Sequence, residues 1–190
     1  MSRTVRGARE GYTERNGMLR DKNLIPLSHQ HQRALALCVR LSRAIENGKV
    51  DLEPWRAEIA QFYRSEILVH FAAEEQEVFP RAAQVAELAP LVKELLTEHE
   101  VLHGLFSRAS DEAADQAGLA GLAERLAGHI RKEERQLFEG MQRHLPAEEL
   151  ARIGAALEQA LAEAPQTCAV PNPATQLRPS DPHPNTIRRR

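Results

Sequence analysis

The chain has 190 residues, room for one bundle-sized domain with tails but not for two full domains, because one core of that size already buries most of what the unfolded chain exposes. Its formal net charge is -2, with Lys and Arg mixed among Asp and Glu through the middle, so no basic stripe points to a nucleic-acid partner. No run of about 18 apolar residues exists, and the first residues (MSRTVRGAREGYTERNG) carry charges where a secretory segment would be apolar, so we expect a cytoplasmic protein without a membrane partner.

In chain order, residues 1–23 are polar and lack hydrophobic period, which predicts a disordered tail. A first helix follows Pro26, with Ser28 as N-cap, and stops near Gly48. The second opens with Pro54 in its first turn and runs to about Phe79, where Pro80 is expected to kink or end it. The third starts at Pro90 and fades near Ser110 and Asp111; the fourth runs from roughly Ala117 to His144 despite Gly118, Gly121 and Gly128. A shorter helix begins at Pro146 with Leu150, Ile153, Leu157 and Leu161 on one face. Beyond it, residues 165–190 hold Pro165, Pro171, Pro173, Pro179, Pro182 and Pro184 and are expected to be disordered; Cys168, His183 and the terminal arginines there receive no role. Ala and Leu abound while aromatics make up 4%, the composition of helix-on-helix packing. The expectation is an all-α, up-down-up-down antiparallel four-helix bundle over residues 24–145, with an accessory helix at 146–164 packed across it.

Eight histidines are present, and their spacing is informative. His70 and Glu74, His99 and His103, and His129 and Glu133 are each four apart on the second, third and fourth predicted helices. Four helical residues turn about 400°, so each pair leaves one face about a turn apart, the reach needed to close on one metal cluster. These are also the apolar faces: Ile59, Phe62, Tyr63, Ile67 and Phe71 lie with His70; Val92, Leu95, Leu96, Leu102 and Phe106 with His99 and His103; Leu122, Leu126, Ile130 and Leu137 with His129. Six polar side chains thus point inward, at a cost on the order of several kcal/mol if left without partners, and coordination satisfies all of them. On the first helix His31 aligns with Leu35, Cys38 and Ile45, whereas His29 aligns with Arg33, Arg40 and Arg43, so His31 is expected inside and His29 in solvent.

The chain also repeats itself. HFAAEEQEVF (70–79) and HIRKEERQLF (129–138) share H-x3-E-E-x2-[VL]-F without a gap, so each half is a helical hairpin with a histidine on its first helix and His-x3-Glu on its second. The halves differ in that Leu35 stands four residues after His31, whereas His103 stands four after His99. If Glu74 and Glu133 bridge two metals together with a solvent-derived oxygen, the three-histidine metal has six ligands and the two-histidine metal five. A small ligand such as O2 is then expected at the open position on the metal held by His31 and His70. Imidazoles with bridging carboxylates suit iron better than tetrahedral zinc. Tyr63 either hydrogen-bonds a bound oxygen species or fills the core; Cys38 is expected as a small core residue, and Glu75, Glu77, Glu134 and His144 at the surface or behind the ligands.

These residues resemble the hemerythrin and hemerythrin-like cation-binding family: a lone histidine on the first helix, His-x3-Glu on the second, His-x3-His on the third, and histidine plus carboxylate on the fourth. The resemblance covers about residues 24–145, fills all seven positions with His31, His70, Glu74, His99, His103, His129 and Glu133, and extends to Phe79-Pro80. It implies a four-helix bundle holding two non-heme iron ions, oxo- or hydroxo-bridged. Glu133 follows His129 by four residues, where oxygen-carrying hemerythrins use an aspartate five residues on, so the chain is more similar to the bacterial hemerythrin-like branch. Three function classes stay open. The His-rich shell favours reversible binding of O2 or NO for sensing, storage or delivery. A redox enzyme reducing NO, peroxide or O2 would need an external electron donor, because the chain has no Cys-x2-Cys, flavin or dinucleotide motif. In an iron-homeostasis or signalling protein the metal would control folding.

Overall fold

The computed structural model describes residues 19–48, 50–111, 113–162 and 172–176. Its regular elements are helices, with no strand among the described residues. α1 is Ile25–Glu46; α2 spans residues 52–82, α3 is Ala89–Ser110, α4 spans residues 116–144, and α5 is Ala147–Ala162. α2 and α4 are each unbroken helical runs interrupted by π turns, at Tyr63–Ile67 and Glu74–Val78 in α2 and at Glu133–Leu137 in α4.

Local chemistry sets the ends. Asp51 caps α2 by accepting from the Glu53 amide at 3.3 Å, and Asp115 caps α4 by accepting from the Gly118 amide at 2.8 Å. Gly48, with φ of 76°, adopts the left-handed conformation that closes α1. Ser28, expected as the cap of α1, instead lies inside it: the helix begins at Ile25, which places Pro26 in the first turn where its missing N–H costs nothing. The Ser28 hydroxyl donates to Glu134 at 2.7 Å. Pro80 does not end α2, which continues through Phe79–Ala82. The preceding π turn, where the Phe79 amide donates to the Glu74 carbonyl, shifts the hydrogen-bond register ahead of the proline.

α1 packs on α4, α2 on α3, and α3 on α4, while α5 lies against the Leu68–Ala73 and Glu74–Val78 stretches of α2. The interior divides into two apolar clusters. One contains Leu37, Trp55, Ile59, Phe71, Leu102, Phe106, Leu122 and Ile130; the other contains Leu27, Val78, Phe79, Leu95, Leu137, Phe138 and Leu157. On α1 the change from one cluster to the other falls between Leu27 and Ala34, and on α3 between Leu95 and Leu102. His31 and His99 stand in those gaps, so a polar layer separates two greasy ones. No helix among the described residues is long and apolar enough to cross a membrane.

Two stretches of the expected tails are ordered against the bundle. Arg20 donates to Gln142 and Glu134, and its guanidinium lies 5.0 Å from the Phe138 ring centre. Residues 172–176 carry the short 3-10 turn Pro173–Thr175, capped by the Asn172 side chain, with Thr175 buried against Glu58 and Arg40. A hydroxyl that satisfies a buried carboxylate holds this piece where composition alone predicts disorder. The remaining tail residues lie outside the described ones.

Candidate metal centre

Six of the seven expected ligands meet in the polar layer. Donor atoms of His31, His70, Glu74 and Glu133 lie within 4.8 Å of one another, as do those of Glu74, His99, His129 and Glu133. All six side chains are buried. The two quartets share both glutamates, and each carboxylate is divided between them. Glu74 turns Oε1 toward His70 and His31 (3.3 and 3.6 Å) and Oε2 toward His99 (3.5 Å). Glu133 turns Oε2 toward His31 (3.2 Å) and Oε1 toward His129 (3.3 Å). Both glutamates open π turns, which widen the helix by one residue where the carboxylate must reach the bundle axis.

Every histidine of the two quartets is held from behind at Nδ1. Gln30 on α1 accepts from His70 on α2 (2.8 Å), Glu75 on α2 from His99 on α3 (2.7 Å), Glu98 on α3 from His129 on α4 (2.9 Å), and Glu134 on α4 from His31 on α1 (2.7 Å). Each helix thus grips the histidine of the next, and the belt closes on itself. With Nδ1–H donated outward, Nε2 faces the centre with its lone pair, the tautomer that metal coordination requires. Helical spacing placed Glu75 and Glu134 at the surface or behind ligands and passed over Gln30 and Glu98. All four are chain neighbours of a ligand, which is the signal that would have found them.

His31 is the buried histidine of α1 and His29 is exposed. His103, expected as a seventh ligand, is not brought to the centre: it is half-buried, and its Nδ1 lies 2.7 Å from the Tyr63 hydroxyl. Four residues along α3 is a rise of about 6 Å, which takes His103 out of the polar layer to the level of Leu102 and Phe106. Burial, followed by the nearby His99, lowers its pKa. His144 is exposed, and Cys38 is a buried core residue whose thiol burial pushes up to about 12. Cys168 and His183 lie outside the described residues.

The donors fit cations. All four oxygens of Glu74 and Glu133 are buried without a hydrogen-bond partner, a cost of about 1–3 kcal/mol each or more for charged groups. The paired nitrogens, His31 Nε2 to His70 Nε2 at 2.9 Å and His99 Nε2 to His129 Nε2 at 3.0 Å, face each other across the layer. Without a cation, protons take that place. Burial works against the His129 imidazolium, but Glu133 and Glu98 lift it to about 10, and Glu133, Glu134 and Glu74 likewise raise His31 against its burial. Burial pushes His70 down to about 4, its outer partner Gln30 being neutral. Each histidine pair can therefore share one proton, and those charges hold Glu133 well below the usual carboxylate range despite its burial.

A buried layer of two histidine pairs joined by two shared carboxylates, held inside a helical bundle, defines a metal-binding helical protein. The family model of the hemerythrin HHE cation-binding domain matches residues 26–141, and the chain belongs to that family. Comparison with curated proteins and with solved structures gives no match.

Proposed function

We propose that this is a di-iron protein that binds O2 or NO, with His31, His70, Glu74, Glu133, His99 and His129 as the ligands of two ions. The carrying observation is the division of each glutamate between the two histidine pairs, with four carboxylate oxygens otherwise unsatisfied. The two quartets, sharing both carboxylates, would hold one ion each, and a donor set of imidazoles with shared carboxylates suits iron better than tetrahedral zinc. Bound iron would supply reversible electron exchange with a diatomic ligand. The four helices would alternate in direction, as short connections between neighbours require, and the belt of outer partners supports the neighbour order α1, α2, α3, α4.

With His103 elsewhere, each ion would be held by two imidazoles and the shared carboxylates, so the asymmetry expected in the ligands would lie in their surroundings. A cavity of about 10 Å³ adjoins His31 and His70, walled by Ala34, Phe62, Ile67, Phe71, Leu126 and Ile130. That is about the room one water-sized molecule needs, and the apolar wall favours a diatomic gas over water. Gln30 and Glu66 form its polar end, Glu66 being paired with Arg33 at 2.6 Å. Metal analysis with an oxygen cycle on one preparation tests the reading. Two irons per chain and a charge-transfer absorption that appears under oxygen and fades under inert gas are expected. Well under two metals from iron-replete cells would sink the dinuclear assignment, and irreversible oxidation with turnover would favour the redox enzyme.

A further inference from the structure

Two residues break the internal repeat, and they touch. Seven residues before the repeated histidine stands Tyr63 in the first half and Leu122 in the second; four residues after the lone histidine stands Leu35 in the first half and His103 in the second. Each position is filled by leucine in the other half, so the fold needs neither polar group for packing. Yet Tyr63 and His103, on different helices, meet through a hydrogen bond of 2.7 Å. The local backbone is also particular to this half: a π turn starts at Tyr63, whereas Leu122 lies in regular α-helix. π turns start at three residues among those described, and the other two are the shared glutamates.

The pair is placed for electron traffic. The Tyr63 ring stacks on Phe106 with centroids 4.8 Å apart, and both Tyr63 and His103 are half-buried, one side toward solvent. Inward, a single ring separates His103 from the centre: Phe71 meets His103 edge-on at 5.2 Å and stacks on His99 at 3.8 Å between centroids. A phenol loses an electron readily only if its proton leaves at the same time, and in the tautomer protonated at Nε2 His103 presents Nδ1 as the acceptor already in place.

We infer that Tyr63 and His103 form an oxidisable pair that exchanges single electrons with the metal centre, His103 serving as the proton acceptor of Tyr63 and not as a ligand. In the step, the Tyr63 O–H bond breaks, its proton passes to His103 Nδ1, and one electron leaves for a one-electron oxidant. In the cell that oxidant is the dinuclear centre in its oxidised state; the inference rests on the preceding reading for that identity alone. A neutral tyrosyl radical and an imidazolium remain. A one-electron reductant at the surface returns the electron, and the proton moves back to the phenolate oxygen.

The experiment needs no gas chemistry. The chain has two tyrosines, so Tyr12→Phe leaves Tyr63 as the only one. Metal-free and iron-loaded forms of this variant are oxidised by photogenerated ruthenium(III) tris-bipyridine, and the radical is followed by transient absorption and electron paramagnetic resonance. A neutral tyrosyl signal is expected that vanishes with Tyr63→Phe. His103→Leu should slow its appearance about 100-fold, the low end of what a positioned proton acceptor contributes. His103→Gln, which keeps a polar side chain but no base, should behave like His103→Leu and guards against a folding effect. Both variants should retain the parent's iron content. Parent-like radical formation in both, or loss of iron from both, would overturn the inference; loss of iron from the parent itself would instead strike the dinuclear reading and leave the metal-free measurement standing.

Discussion

Gln30, Glu75, Glu98 and Glu134 do at residue scale what no ligand does for itself: they fix which nitrogen of each imidazole carries the proton. Outer partners of this kind are worth about 10–100-fold in metal affinity. Glu98→Gln is therefore expected to weaken metal retention by about that factor in competition with a chelator, with helix content by circular dichroism unchanged. His31→Ala should cost at least one metal per chain and His29→Ala none, since His31 is buried in the layer and His29 is exposed; equal losses in the two would reverse the assignment on α1. The convergence of these six side chains was legible in sequence because each lies on an apolar face at helical spacing. Their outer partners were not, because a residue next to a ligand is turned about 100° around the helix and looks at a neighbouring helix. Which helix that is depends on packing, and periodicity within one helix carries no such information. The same limit explains His103, whose face was right but whose level along α3 was wrong.

At the scale of elements, five helices and their approximate ends follow from proline, glycine and hydrophobic period, but the three π turns do not. A π turn displaces the apolar pattern by one residue, which a pattern read to the nearest turn absorbs without trace. Proline is not their cause: the second repeat carries Glu139 where the first has Pro80, and it makes the same turn at Glu133–Leu137. What the repeats share is a buried glutamate at the start of the turn, so the widened backbone belongs with the carboxylate that bridges the quartets. Deleting the exposed Gln76 should return Glu74–Val78 to α-helix with Phe71 and Phe79 still facing their clusters. Metal content should then fall while the metal-free melting temperature moves by only a few degrees, about 1 kcal/mol for a chain of this size. Retained metal after that deletion would show that the turn is incidental to the site.

For the whole molecule, the polar layer makes the fold a partner of the metal, because two apolar cores meet across six groups that only cations or protons satisfy. Metal that binds the folded chain alone stabilises it by about 4 kcal/mol at a thousand times its dissociation constant, which raises the melting temperature by about 8–16 °C. The size of that gap should depend on pH in one direction. His129 and His31 have folded pKa values above the unfolded value of about 6.5, so their contribution to the metal-free fold is complete below that pH and is lost as pH rises, for His129 through about 10. His70, held near 4, is neutral in both states over this window and contributes nothing to the slope. The metal-free protein should therefore lose melting temperature between pH 7 and pH 10. The loaded protein should not follow it, because the metal takes its imidazoles deprotonated and competes with fewer protons as pH rises. Loading at pH 8 should accordingly release about two protons per chain, one from each histidine pair, readable with an indicator dye in weak buffer. A gap that stays constant from pH 7 to 10, together with no proton release, would mean that the pairs do not hold the protons that cations displace.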